Sequence, residues 1–203
     1  MSSTNERAAT PLAPKDRFVI GAFNGAKRLS RAVSELSAAR IGGDDMFLMA
    51  ARAALEQRLR CRFDVPAAVA DRVAVPVRRP GSAAPLPSRL LLFDELGVTA
   101  AQGTLLVSSG SLSARLRQAR GEVAASIGAL LAQSLGHRNA ASLAAQLDAG
   151  ALLLWITASD QRARLGACDV LLRWCEGQVH VHELAALDAR VGGCSAASTH
   201  ASG

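Results

Sequence analysis

The chain has 203 residues, a formal net charge of +6 and a hydrophobic fraction of 50%, so it is too apolar to be disordered throughout and long enough for one large or two small domains. Aromatic residues make up only 3% and tyrosine is absent, which disfavours ligand or nucleic-acid surfaces built on aromatic platforms. Lys15 and Lys27 are the only lysines among 23 basic residues, and such scattered arginines indicate a compositional bias rather than a nucleic-acid interface.

The first predicted unit is strand–helix–strand. Residues 1–17 are rich in Ser, Thr, Ala and Pro and predict a disordered tail, followed by a single α+β domain over residues 18–190. Phe18–Phe23 and Met46–Ala51 are apolar runs typical of strands. Between them, Gly25–Arg40 carries apolar residues at helical spacing and ends before a glycine pair, which predicts a helix.

The middle of the chain is less regular. Arg52–Arg62 fits a helix or a strand, and its periodicity does not decide between them. Phe63–Ser88 is rich in proline, which predicts a flexible insert without regular structure. Arg89–Phe93 and Thr104–Ser108 are short strand-like runs, and Asp94–Gly103 between them predicts a loop.

A helical hairpin is predicted next. Val123–Leu135 is strongly apolar, and a second helix follows it and ends at Gly150. The polar face of Val123–Leu135 lacks Lys and Arg, so burial in a core or in an oligomer fits better than a membrane surface.

The second strand–helix–strand unit is the clearest. Leu152–Thr157 and Val179–Leu184 predict strands, and Asp160–Cys175 between them predicts a helix. Residues 191–203 are small and polar and predict a disordered tail. The apolar face of the helix is expected to comprise Leu165, Cys168, Leu171, Leu172 and Cys175.

Candidate chemistry is sparse. His180 and His182 alternate on the last predicted strand, so both could reach one zinc or copper ion if folding supplied a further ligand. Two histidines at this spacing are more typical of an outer sheet face or an edge strand. We therefore assign no metal site and no cofactor, and keep His180 and His182 as weak metal candidates only.

No catalytic residue emerges, which favours a protein that is not an enzyme. The acid pairs Asp44-Asp45 and Asp94-Glu95 point in different directions on any regular element and fit turns and helix starts. Ser108–Ser111 lies between a strand and a helix, where backbone amides can hold phosphate, but helix capping by serine is favoured because no phosphate-loop motif follows.

Location and redox state are expected to be those of the cytoplasm. The four cysteines form no C-x-x-C pair, and Cys168 and Cys175 are spaced too far apart on a helix for a disulfide. The start of the chain lacks the apolar core of an export signal, and the apolar runs are too short to span a bilayer.

Three segments resemble a bacterial general-stress-protein-like domain family of unknown function. They are FVIGAFNGAKRLSRAVSELSAARIGGDDMFLMA, the segment GTLLVSSGSLSARL, and the run from Leu135 to Glu183 that closes on a V-x-V-H-E-like strand. The resemblance implies a ferredoxin-like sheet and transfers no active-site residue.

We therefore expect an α+β protein with a split ferredoxin-like β-α-β…β-α-β sheet and a helical hairpin inserted between the halves. The expected function is a non-catalytic, self-assembling interaction or regulatory protein associated with stress. Homo-oligomers and a protein partner are expected, and nucleic acid and a transmembrane segment are not. The alternative is a small-ligand or metal-sensing domain that binds at the sheet or at a subunit interface.

Overall fold

The computed structural model describes residues 16–64, 73–78, 86–120, 126–135 and 137–184. Within these ranges strands and helices are interspersed in an α+β fold. The strands are β1 Asp16–Phe23, β2 Met46–Ala51, β3 Cys61–Asp64, β4 Val73–Arg78, β5 Phe93–Ala100, β6 Gly103–Ser108, β7 Leu152–Thr157 and β8 His180–Leu184. The helices are α1 Ala26–Ala38, α2 Arg52–Leu59, α3 Ser111–Arg120, α4 Ile127–Leu135, α5 His137–Asp148 and α6 Gln161–Trp174.

The described strands form one antiparallel sheet in the order β3-β4-β5-β6-β2-β7-β1-β8. The first strands of the two predicted units are neighbours, as expected, and Ile20 of β1 lies opposite Trp155 of β7. β8 pairs with β1 and is the last strand at its end of the sheet. No described strand pairs with the outer edge of β8.

Helices cover both faces of the sheet. On one face, α1 and α6 pack on alternate strand residues such as Val19, Leu48 and Leu154. On the other, α3, α4 and α5 pack on the residues between them, such as Phe47 and Trp155. Because both faces are buried, β2 and β7 read as nearly continuous apolar runs, and this is why their sequences identified them as strands.

The helical hairpin α4–α5 exists, but its predicted position is wrong. The sequence placed it beside α1 and α6 or against another subunit. It instead covers the opposite face, where Leu130 and Leu143 pack into the core that contains Trp155. A sheet that is apolar on both faces requires such a second layer.

Three further predictions need correction. Arg89–Phe93 is not a strand: Ser88–Leu91 forms a 3-10 turn, and β5 covers most of the predicted loop Asp94–Gly103. A register shift between Glu95 and Thr99 interrupts the alternation of β5, which hides the strand from a periodicity search. The proline-rich segment 63–88 contains β4, and Asp16 and Arg17 of the predicted tail belong to β1.

The undecided segment Arg52–Arg62 contains α2 and the start of β3, with Arg60 in the left-handed conformation between them. The remainder of the predicted tails, most of the rest of the insert, and Val123–Ala125 of the predicted apolar helix lie outside the described residues. No described helix is long and apolar enough to cross a membrane.

Hydrogen bonds and an ion pair from polar side chains connect the loops at one end of the sheet. Arg58 of α2 donates to the backbone carbonyls of Asn24 and Gly150, which lie after β1 and before β7. Glu176, after α6, accepts from the Asn24 amide at 2.6 Å and forms an ion pair with Arg28 at 3.4 Å. These contacts position the start of the segment that leads into β8.

Candidate functional site

The edge strand β8 carries the histidine pair that the sequence singled out. His180 lies opposite Ile20 and His182 lies opposite Phe18, both on β1. Cross-strand partners share a face of the sheet. Since Ile20 and Phe18 belong to the core under the α4–α5 hairpin, both imidazoles project from that face.

The two rings are stacked and largely withdrawn from water. Their centroids are 5.9 Å apart and their planes differ by 18°. His182 is only 6% exposed, and its Nδ1 lies 3.5 Å from the side-chain amide nitrogen of Asn139. The Nε2 atoms of His180 and His182 are both buried and have no hydrogen-bond partner among the described residues. Each ring therefore keeps one buried polar atom that is unsatisfied within the described part of the chain.

As they are placed, the two rings of one chain do not converge on a single metal ion. Two imidazole nitrogens on a tetrahedral zinc ion lie roughly 3.4 Å apart, and the lone pair of each lies in its ring plane. Nearly parallel rings 5.9 Å apart do not aim two such lone pairs at one point. No group of three or more His, Cys, Asp or Glu suited to a metal ion occurs among the described residues.

Burial of the pair makes stability depend on pH. Burial lowers the pKa of His180, and burial together with the nearby His180 lowers the pKa of His182. Because each folded pKa lies below the unfolded value of about 6.5, the unfolded chain takes up the protons first. Above about pH 6.5 both histidines are neutral in the folded and the unfolded chain, and protonation does not lower the free energy of unfolding. As the pH falls below that value, protonation of the unfolded chain lowers the free energy of unfolding.

We therefore expect the urea midpoint to fall between about pH 7.5 and pH 5, and to fall less in His182→Gln. Urea unfolding at a series of pH values, followed by circular dichroism, measures this. His137→Gln is the control, because His137 is exposed at the start of α5. An equally steep pH dependence in His182→Gln would show that His182 does not contribute to it.

The other face of β8 presents apolar side chains to solvent. Val181 lies opposite Val19, on the face that α6 covers, and is 46% exposed. Leu165 and Leu172 of α6 are 55% and 67% exposed, although the sequence placed them on the buried face. The prediction is wrong for Leu165 and Leu172, because the buried stripe is formed by Ala167, Val170 and Leu171, of which Leu171 was predicted.

Leu165 and Leu172 lie on the solvent-facing side of α6, away from its buried stripe. Arg173 pairs with Glu35 at 2.9 Å and Trp174 stacks under Arg31, so these residues mark the side of α6 that faces α1. Residues 165 and 172 are two turns apart and lie away from that side. We call Val181, Leu165, Leu172 and the open edge of β8 the β8 edge surface.

The serine segment after β6 is occupied by the protein's own carboxylate. Asp94, 6% exposed, accepts hydrogen bonds from Ser109 at 3.1 Å and Ser113 at 2.6 Å and pairs with Arg117 at 3.2 Å. Ser108 bonds both backbone polar groups of Leu48. An anion therefore already sits at the start of α3, and Asp94 is a structural residue rather than half of a catalytic acid pair.

Two further features are the Asp44-Asp45 pair and a surface cleft. Asp44 and Asp45 form a 3-10 turn before β2, in agreement with the predicted turn. An open cleft of about 650 Å³ lies between the end of α1 and the start of α6 and is lined by Arg40, Asp160 and Arg162, among others. Asp160 accepts from the Ala163 amide at 2.7 Å, so the start of α6 is capped from within the chain.

Comparison with protein-family models, curated proteins and solved structures gave no significant match. Among the described residues, the most exposed large apolar side chains are Leu172, Leu165 and Val181 of the β8 edge surface.

Proposed function

We propose that this chain is a non-catalytic interaction module that assembles with itself through the β8 edge surface. The carrying observation is that β8 is the last strand of the described sheet and exposes Val181, 46% accessible, beside its unpaired edge. An unpaired strand edge offers backbone donors and acceptors to another strand. When two copies pair edge to edge about a twofold axis perpendicular to the sheet, their α6 helices lie on the same face of the joined sheet.

The apolar pattern of α6 supports this assembly. Leu165 and Leu172 are exposed, lie seven residues apart and are separate from the stripe packed on the sheet, whereas Cys168 between them packs partly against the core. That spacing is typical of a helix–helix seam. Val181, on the same face of the sheet, extends the seam onto β8.

The finer fold assignment is part of the same proposal. The order β2-β7-β1-β8, with α1 and α6 on one face, supports a split ferredoxin-like core to which β3–β6 and three helices are added. A cytoplasmic setting is supported by Cys168 and Cys175, which are free thiols. The stress-associated role rests on the sequence resemblance described above.

The assembly is tested by light scattering and sedimentation of the full chain in a chelator, over a range of concentrations. We expect a dimer for the wild type. In the double variant Leu172→Arg with Val181→Arg, like charges meet across the axis, and we expect dimerisation to weaken by on the order of 100-fold or more.

Leu92→Arg is the matched control. Leu92 is also an exposed leucine, 38% accessible, but it lies beside β5, at a distance from β8 in the sheet. It should leave the dimer intact. A wild type that remains monomeric at all concentrations would reject the proposal, and so would a dimer that survives both arginines or is broken by Leu92→Arg.

A further inference from the structure

We infer that the β8-to-β8 pair creates a site for a divalent transition-metal ion, held by His180 and His182 of both copies on the twofold axis. This inference rests on the proposed assembly, since one copy supplies only half of the ligands. It assigns that assembly a ligand class that neither copy binds alone.

The unsatisfied imidazole nitrogens are the first observation. Both Nε2 atoms are buried and lack a partner among the described residues, and His182 is more than nine-tenths buried. Buried polar atoms normally have a hydrogen-bond or metal partner. Both atoms lie on the last strand of the described sheet, where an ion held between two copies would satisfy them.

The register of the pairing follows from the alternation of the strand. When two identical strands pair antiparallel about an axis perpendicular to the sheet, directly opposed residues must share a face. An axis through Val181 sets Val181 against its own copy and His180 against the partner subunit's His182. An axis through His182 would instead oppose Val181 to a glutamate, because residue 183 is Glu. The first register buries the exposed Val181 in apolar surroundings, and we adopt it.

This register brings four imidazoles together on one face. Directly opposed Cβ atoms in antiparallel strands are about 4.5–5.5 Å apart, which is close enough for imidazoles to share an ion after small side-chain rotations. Within one chain the rings are nearly parallel. A twofold axis reverses their direction across the sheet, so rings from the two copies can approach one ion from opposite sides.

The type of donor atom determines which ions suit the site. Neutral imidazole is the form that binds metals. Nitrogen donors of this kind suit Zn²⁺, Co²⁺, Ni²⁺ and Cu²⁺, whereas Mg²⁺ and Ca²⁺ prefer oxygen ligands. The site is therefore expected to discriminate strongly between these two groups of ions.

Titration of the full-length dimer with Co²⁺ alone tests the site, with the visible d–d absorption as readout. We expect saturation at one cobalt ion per pair of chains, with the intense bands of a tetrahedral complex. His180→Gln with His182→Gln should lose these bands, and His180→Gln alone should weaken binding at least tenfold. His137→Gln should bind as the wild type does.

The two proposals fail separately. A dimer in chelator that takes up no cobalt would overturn the metal site and leave the assembly standing. Cobalt bound with unchanged affinity by the monomeric Leu172→Arg, Val181→Arg variant would place the ligands within one chain and overturn the shared site. Unchanged binding in both histidine variants, with folding verified by circular dichroism, would overturn the assignment of the ligands.

Discussion

Replacing Trp155 by alanine is expected to lower the free energy of unfolding by about 4 kcal/mol, within the range for large aromatic side chains removed from a core. Trp155 is fully buried at the centre of β7. It lies between Ile20 of β1 and Phe47 of β2, and its ring meets Phe18 edge-on with centroids 5.9 Å apart. Truncation removes contacts with two strands and with the α4–α5 hairpin at once.

Trp155→Phe is the matched control, with an expected loss of roughly 1–2 kcal/mol. The indole Nε1 has no partner among the described residues, so phenylalanine forfeits no hydrogen bond there. Urea unfolding followed by circular dichroism measures both variants on one scale. A loss below about 1 kcal/mol for Trp155→Ala would contradict the central position of this ring.

The second large effect is expected for Asp94→Ala, with a loss of about 3 kcal/mol. The change removes the Asp94 acceptor of the Ser113 hydroxyl, which then keeps only the backbone carbonyl of Gly110. It also removes the negative charge that pairs with Arg117. We place the loss at the lower end of the range for a broken buried pair, because Arg117 reaches solvent. The start of α3 should loosen first, since Asp94 connects β5 to that helix.

Asp94→Asn separates charge from hydrogen bonding. The amide keeps one oxygen acceptor for Ser113 but loses the attraction to Arg117. The free energy of unfolding of Asp94→Asn should therefore lie between those of the wild type and the alanine variant. Hydrogen exchange of the α3 amides localises the effect. Uniform destabilisation without extra exchange in α3 would argue against the proposed link.

The strands at the centre of the sheet could be predicted because both their faces are buried. The runs at β2 and β7 are apolar throughout and stand out against the polar turns around them. β5 could not be recognised, because Asp94 is polar and yet buried. Its partners Ser109 and Ser113 lie across a strand and a turn, and no local pattern reports such a contact.

Only part of the candidate site could be predicted from the sequence. The alternation of His180 and His182 correctly indicated one face of an edge strand. Helical periodicity alone did not tell which apolar residues of α6 meet the sheet, because Leu165 and Leu172 form a second, exposed stripe on the opposite side of the helix. Their spacing of seven residues, separate from that of Ala167, Val170 and Leu171, is the signal that would have identified them.

The central pairing of β1 with β7 determines when the protein can fold. Both neighbours of β1 in the sheet come from more than a hundred residues later in the chain. Contacts of such long range make folding slow, since a large loop must close before they stabilise anything. On the ribosome, the first strand must therefore wait until β7 has emerged, and until then its apolar side chains lack the strands that bury them.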